Sequence, residues 1–337
     1  MFQRAVRAGQ SESAAQYPLF DWLRFVLASV VALNHEAVIG WDHAGNLAVQ
    51  VFFALSGWLI GGILLSTDRH HLPKFYYNRA TRIWIPYAIA AAFLYAVAAA
   101  REGVDHTFLR CLFFDGTFTH NWFINPANPM PLHGTGNHFW SIAVEEQFYL
   151  AAPIMIVLLP FGRSAAFWTF VAAVAVLSGS WYGSISLGVL AAVIRPNIPV
   201  WLVLAVGAGF LAGMLALDYV MFAPPFALSV VLLMSREGRR SQVGEFLGGV
   251  SYPLYLYHWV GMFVANAVGK HFGFTAARGE LAYLVGLAAG TLTYLTIDRN
   301  VMRLRSRYYS PRTGKALMAT AYGLLIAGVA YGCATLA

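Results

Sequence analysis

The sequence predicts an all-α fold, a polytopic transmembrane bundle of about eleven spans with the N-terminus cytoplasmic. Three observations predict it. Apolar types make up 59% of the 337 residues and charged types only 11%, against roughly 25% charged in a soluble domain, and mean hydropathy is +0.60. The apolar residues form long runs instead of the period-2 alternation of an outer-membrane barrel. The basic residues gather in alternate short loops between those runs, as the positive-inside rule expects. Together these exclude an ordinary soluble enzyme, a disordered chain and a disulfide-rich secreted scaffold. The same loops account for the net charge of +7, so no nucleic-acid partner is expected.

In order, the apolar segments lie at 19–39, 46–65, 83–100, 138–160, 165–180, 183–195, 199–217, 219–234, 250–268, 281–298 and 316–335. A span needs about 17–25 residues. The segments at 165–180, 183–195 and 219–234 are short, and Pro224 and Pro225 are expected to break or tilt the last of these. Alternating the segments from an inside N-terminus puts most of the 22 Lys and Arg on the inner side. Arg101, Arg110, Lys270 and Arg278 fall outside, and Arg24 lies within the first span. Merging 165–195 into one pass would move two basic loops outward, so two passes are preferred. Residues 1–18 read as a polar cytoplasmic segment without a cleavable signal, 19–302 as a membrane domain, and 303–337 as a basic loop plus an extra helix. The outer loop 101–137 carries His106, His120, Trp122 and His133. It reads either as a solvated loop or as part of a binding site.

Ionisable residues within spans are costly and mark functional sites. Here they are Arg24, His35, Glu36, Glu145, Glu146, His258 and Asp298. Eleven helical steps separate Arg24 from His35, which returns the direction to within about 20° over a rise of about 16 Å. One helix thus aims a cation near its inner end and an imidazole near its outer end into one cavity. The fourth span places Glu145 and Glu146 about 10–12 Å below the outer surface, at the depth expected for His35. An imidazole beside a carboxylate is the pairing of general-base catalysis. Adjacent carboxylates point 100° apart, so only one is expected to face His35. Arg79 and Arg82 share a helix face and can clamp a phosphate or diphosphate. The alternatives are snorkelling for Arg24, plain inner-side anchoring for Arg79 and Arg82, a satisfied buried histidine for His35, and structural bonds for the Glu pair. Cys111 and Cys333 make no disulfide framework and no metal-ligand spacing, and no metal is expected.

Five stretches resemble the acyltransferase 3 family. They are LFDWLRFVLASVVALNHE with Arg24 and His35, VQVFFALSGWLIG, RATRIWIPY, WSIAVEEQFYL and SYPLYLYHW, in the family's order over about residues 19–300. The resemblance implies a membrane enzyme that moves an acyl group, often acetyl, from cytoplasmic acyl-CoA to a hydroxyl. The usual acceptors are extracytoplasmic glycans or polyprenyl-linked saccharides. His35 would then be the catalytic histidine, with Glu145 and Glu146 as the acidic pair. Arg24, Arg79 and Arg82 would bind the acyl-CoA, and His258 is the late histidine. Glu36, Ser56, Trp140 and Tyr255 join the candidate site from within or beside these stretches. Two departures are Asp298 where the family often has Glu, and a C-terminal end that leaves no room for the SGNH hydrolase-like domain of some members. The expected mechanism has His35, backed by Glu145 or Glu146, deprotonate the acceptor hydroxyl; a transient acyl-His35 is the variant. The expected location is a bacterial inner membrane, in contact with membrane lipids. The competing classes are a proton-coupled transporter or flippase, an acyltransferase acting on a small lipophilic acceptor, and a non-catalytic scaffold.

Overall fold

The computed structural model describes residues 17–273 and 277–336; most of the polar segment 1–18 lies outside the described residues. Among these the chain is helical, with no strand. The helices are α1 (Pro18–His35), α2 (Ala44–Leu65), α3 (Leu72–Glu102), α4 (His106–Gly116), α5 (His120–Phe123), α6 (Phe139–Pro153) and α7 (Ala165–Leu177). They continue as α8 (Tyr182–Ile194), α9 (Val200–Ala216), α10 (Tyr219–Met234), α11 (Gln242–Phe272), α12 (Arg278–Thr293), α13 (Arg299–Tyr308) and α14 (Pro311–Leu336). Every apolar segment read from the sequence carries a helix. Five helical runs are long and apolar enough to cross a membrane by length and composition alone: Ala44–Leu65, Arg69–Glu102, Phe139–Leu158, Arg278–Tyr308 and Pro311–Thr335. α1 and α11 fall outside that criterion, and they are helices that turn polar and ionisable side chains toward the interior.

Three local features differ from the sequence reading. α1 stops at His35, four residues before the end of its apolar segment. Ala37 takes a left-handed backbone (φ 56), and the Asn34 amide donates to the carbonyl of Trp41 (3.0 Å) while its oxygen accepts from the Gly45 backbone (3.1 Å). That bracing ends one helix and starts the next, and leaves His35 at a helix terminus. Second, Pro224 and Pro225 do not break α10, which runs unbroken from an Asp218 side chain that caps the Met221 backbone N–H. Third, of the two readings of loop 101–137, solvated or part of a site, neither covers the whole: 101–106 and 125–129 are exposed, while 117–120 are buried. α4 runs in from Asp105, which caps it, and the chain turns at Phe118 (φ 54) into α5. The turn packs on Trp84 and Tyr87, about 22 Å of helical rise from the end of α3 at Glu102 in the case of Tyr87. Loop 101–137 therefore contains a hairpin that dips into the bundle.

α1, α2, α3, α6 and α11 supply the linings of two interior cavities. α8 and α10 pack on α2, α7 on α8 and α9 on α10; α12 packs on α11 and α14 on α3. Without a hydrophobic drive between helices in lipid, close association relies on small residues that let backbones meet. Gly57 and Gly188 do this between α2 and α8. A Cβ on Gly57 would collide with the Ile185 carbonyl, and one on Gly188 with the Ala54 carbonyl. α14 is tied in by Tyr322, whose hydroxyl donates to the Leu150 carbonyl (2.9 Å) and meets that of Tyr76 (2.8 Å). Gly57→Val should force α2 and α8 apart and destabilise the fold by about 1–3 kcal/mol or more. The check is the thermal unfolding midpoint of detergent-purified protein, and an unchanged midpoint would contradict this contact.

Candidate active site

The two cavities are named by their place along α1, inner at its Arg24 end and outer at its His35 end. The inner one, about 130 Å³, is lined by Arg24, Arg79, Arg82, Ser56, Glu145, Tyr149, Tyr252, Tyr255 and a wall of Val, Phe, Leu and Ile side chains. Arg24 meets Asp21 at 3.4 Å. Among the described residues Arg79 and Arg82 make no ion pair, and the buried Arg79 Nε has no hydrogen-bond partner. Three guanidiniums converge with one carboxylate, Glu145, in the same cavity. Its two oxygens accept from the Ser56 hydroxyl and from Tyr149 (3.2 Å). Cations gathered this way favour an anion with several oxygens, which a guanidinium holds in bidentate fashion.

The outer cavity, about 260 Å³, is lined by His35, Glu36, Asn46, His133, Thr135, Asn137, His138, Trp140, Tyr255, His258 and Trp259, among others. Val49 and Tyr255 line both cavities. They form the wall where one ends and the other begins. Tyr255 is clamped there: its hydroxyl donates to the His138 carbonyl (2.8 Å) and accepts from Ser141 (2.5 Å). Trp140 lies against Trp181 (ring centroids 4.5 Å apart) at the cavity side.

The histidine protons follow from the partners. His258 Nδ1 lies 2.8 Å from the Tyr255 carbonyl, which only accepts, so Nδ1 carries the hydrogen. In neutral His258, Nε2 is then an acceptor. His35 Nδ1 lies 2.9 Å from it and must donate. The lone pair of His35 is thereby assigned to Nε2, the ring nitrogen left for a substrate. A carboxylate orients the histidine in the familiar hydrolase triad; here a second imidazole, held by a backbone carbonyl, does it. His138 repeats the pattern. Its Nδ1 donates to the Thr135 carbonyl (3.0 Å), and its buried Nε2 has no partner. An unmet buried acceptor costs about 1–3 kcal/mol.

The predicted pairing of His35 with Glu145 or Glu146 is not found. Glu145 turns to the inner cavity. Glu146 turns toward α3, where it accepts from Trp84 Nε1 (2.8 Å), and its other oxygen is buried without a partner. The reason is depth. Because α1 ends at His35, this imidazole stands level with His138, and Glu145 lies seven residues, about 10 Å, further along α6. Glu36 lines the outer cavity, but no hydrogen bond joins it to His35. Asp298, at the end of a π-helical turn, is buried but lines neither cavity. Cys111 and Cys333 are unbridged. Among the described residues no group of three or more His, Cys, Asp or Glu side chains is placed to hold a metal.

Sequence reasoning missed His138, Ser141 and Tyr149, though all stand in or beside the WSIAVEEQFYL stretch. It also missed the buried dyad at the tip of the dipping hairpin. Asp115 lies 2.7 Å from His120 Nδ1 and accepts from Tyr95 (2.5 Å), and the far nitrogen of His120 lies 3.3 Å from Asn137, which lines the outer cavity. Gln147 reinforces the tip by donating to the Phe118 carbonyl (2.7 Å). The loop's end, His133 to Asn137, thus forms cavity wall, whereas His106 and the half-exposed Trp122 stand apart from it.

A family model described as an acyltransferase domain, that of acyltransferase 3, matches residues 17–227. The chain belongs to the acyltransferase 3 family. With its apolar helices it is an integral membrane protein. The acyltransferase match includes His35, the three arginines and both glutamates, and ends before Tyr255 and His258. A Komagataeibacter xylinus protein with the provisional name membrane-bound transacylase BcsY is 25% identical, over 92% of this chain and 90% of its own length. A provisional peptidoglycan O-acetyltransferase of Bacillus subtilis, YrhL, is 30% identical over 42% of this chain. A provisional O-acetyltransferase of Staphylococcus aureus strain COL is 29% identical over the same share. This chain matches only 24% and 25% of the length of those two proteins. No solved structure matches it.

His120→Ala would leave Asp115 buried without its charge partner, a loss of about 3–5 kcal/mol. The expected result is a lower unfolding midpoint and easier proteolysis between residues 104 and 137. Wild-type resistance at that loop would contradict the pairing.

Proposed function

We propose that this acyltransferase moves an acetyl or other short acyl group from cytoplasmic acyl-CoA to a hydroxyl of an extracytoplasmic or lipid-linked saccharide, in a bacterial inner membrane. The observation that carries the reading is the pair of abutting cavities, one cationic and one lined by imidazoles, divided by Val49 and Tyr255. Arg79, Arg82 and Arg24 hold the phosphates of the donor. Its pantetheine arm lies along the apolar wall, and the thioester reaches the Tyr255 boundary. Glu145, held by Ser56 and Tyr149, offsets part of the arginine charge and belongs to donor binding. Glu146 braces α6 against α3.

In the outer cavity His35 Nε2 accepts the proton of the acceptor hydroxyl. The oxygen attacks the thioester carbonyl, the C–S bond breaks, and the CoA thiolate takes up the proton now held by imidazolium. His258 is the positioning residue that keeps the His35 lone pair on Nε2 and shares the positive charge formed in the step. The O-acetyltransferase names of the bacterial relatives support an acetyl group and a cell-wall saccharide.

The test uses detergent-purified protein, acetyl-CoA and a thiol reagent. Wild type should bind acetyl-CoA and release free thiol as water, in place of the acceptor hydroxyl, takes the acetyl group as acetate. His35→Ala should bind it equally and release thiol about 10²–10⁴-fold more slowly. Arg79→Gln should weaken binding about tenfold or more, in line with about 1.5–3 kcal/mol for a hydrogen bond to a charged group. Folded wild type that does not bind acetyl-CoA would sink the donor assignment.

A second measurement addresses His258. His258→Ala should lower the rate at least tenfold, leave acetyl-CoA binding unchanged, and displace the pH profile of thiol release. An unchanged profile at full rate would remove His258 from the reaction.

A further inference from the structure

The outer cavity holds one more basic nitrogen than the reaction proposed above uses. His35 Nε2 takes the proton. His258 Nε2 is occupied by His35 Nδ1. His138 Nε2 is buried with no partner, although its ring centroid is only 4.9 Å from that of His258. The Tyr255 hydroxyl donates to the His138 carbonyl and that of Ser141 donates to Tyr255, so neither donates to the ring, and Asn137 turns its amide oxygen to His120. Among the described residues none donates to this nitrogen, and His138 lines the cavity in which a ligand could supply the donor. With Nδ1 fixed as a donor to Thr135, Nε2 can only accept, so the group it suits is an O–H or N–H.

Resting on the function proposed above, we propose that His138 determines acceptor specificity: its Nε2 accepts a hydrogen bond from a second hydroxyl of the molecule whose first hydroxyl His35 activates. The acceptor class is a polyol with a free hydroxyl next to the acylated one, as on a pyranose ring. Two further features of the wall suit such a ring. Trp140 presents an indole braced by Trp181, a surface for the C–H face of a sugar. Asn46, Thr135 and Asn137 add polar groups along the same cavity. A site built to pair a substrate hydroxyl rejects an analogue that lacks it far more strongly than an apolar pocket rejects one extra group.

The experiment measures acetyl transfer from labelled acetyl-CoA to methyl glucoside, methyl galactoside and N-acetylglucosamine, each beside its monodeoxy forms, with full-length protein in detergent. Thiol release without added sugar is recorded in parallel. Wild type should prefer a parent sugar over at least one monodeoxy form by tenfold or more in kcat/KM. His138→Phe should bring that ratio close to one, chiefly through KM. His138→Gln, whose amide oxygen stands near the position of Nε2, should restore much of it. Unfolding midpoints verify that both variants fold; if His138→Phe does not, the Gln variant carries the comparison, with the ratio expected to survive at no more than wild-type size. A wild type indifferent to the second hydroxyl overturns the proposal, as does a folded His138→Phe that keeps the full ratio. Transfer to none of the sugars, with His35-dependent thiol release intact, also overturns it while the donor chemistry stands. Loss of thiol release in wild type as well means the underlying function has failed.

Discussion

Each ionisable side chain that an apolar bundle takes out of water needs a partner or an opening to water. The two cavities are how this fold meets that demand. Arg24, Arg79, Arg82 and Glu145 share the inner one, and His35, Glu36, His138 and His258 share the outer one. Of the residues that line neither, Asp115 bonds to His120 and Tyr95 and Gln147 to Asn121 and Phe118, whereas Asp298 keeps a buried oxygen without a partner. Polar chemistry is thereby gathered into a few places. The helices outside them are free to be apolar, as α7, α9 and α14 are.

Tyr255 joins the two halves. Its ring lies between the cavities, its hydroxyl secures the start of α6 through the His138 carbonyl, and its own carbonyl sets the tautomer of His258. One residue on α11 thus bounds both cavities and, through His258, sets which nitrogen of His35 keeps its lone pair.

The family match covers residues 17–227 and so omits α11. Half of the histidine pair, and the residue that positions it, stand outside the matched part. The Komagataeibacter relative, which covers nearly the whole chain at 25% identity, is the better guide to that C-terminal portion. The Bacillus and Staphylococcus proteins share only the part that this chain matches over 42% of its length.

What the sequence determined by itself was the class of solvent and the chemical inventory. Too few charges to cover a globule, apolar runs at helical length and five ordered motifs were enough for a helical membrane acyltransferase and for most of the charged and histidine side chains now found in the cavities. Local periodicity put Arg24 and His35 on one face of α1 and predicted one shared cavity, whereas the two residues line separate cavities. Only the tertiary structure decided which of those side chains meet. The pairing of His35 with His258 joins residues 223 positions apart, and no spacing within a helix encodes it. The expected Glu145 pairing failed on about two turns of helix, because Asn34 and Ala37 end α1 at His35, and depth along a helix is counted from where it really stops. The dipping hairpin at 104–123 was hidden for a related reason: its polar residues look solvated in sequence, and only packing against Trp84, Tyr87 and Gln147 shows that they satisfy one another instead of water.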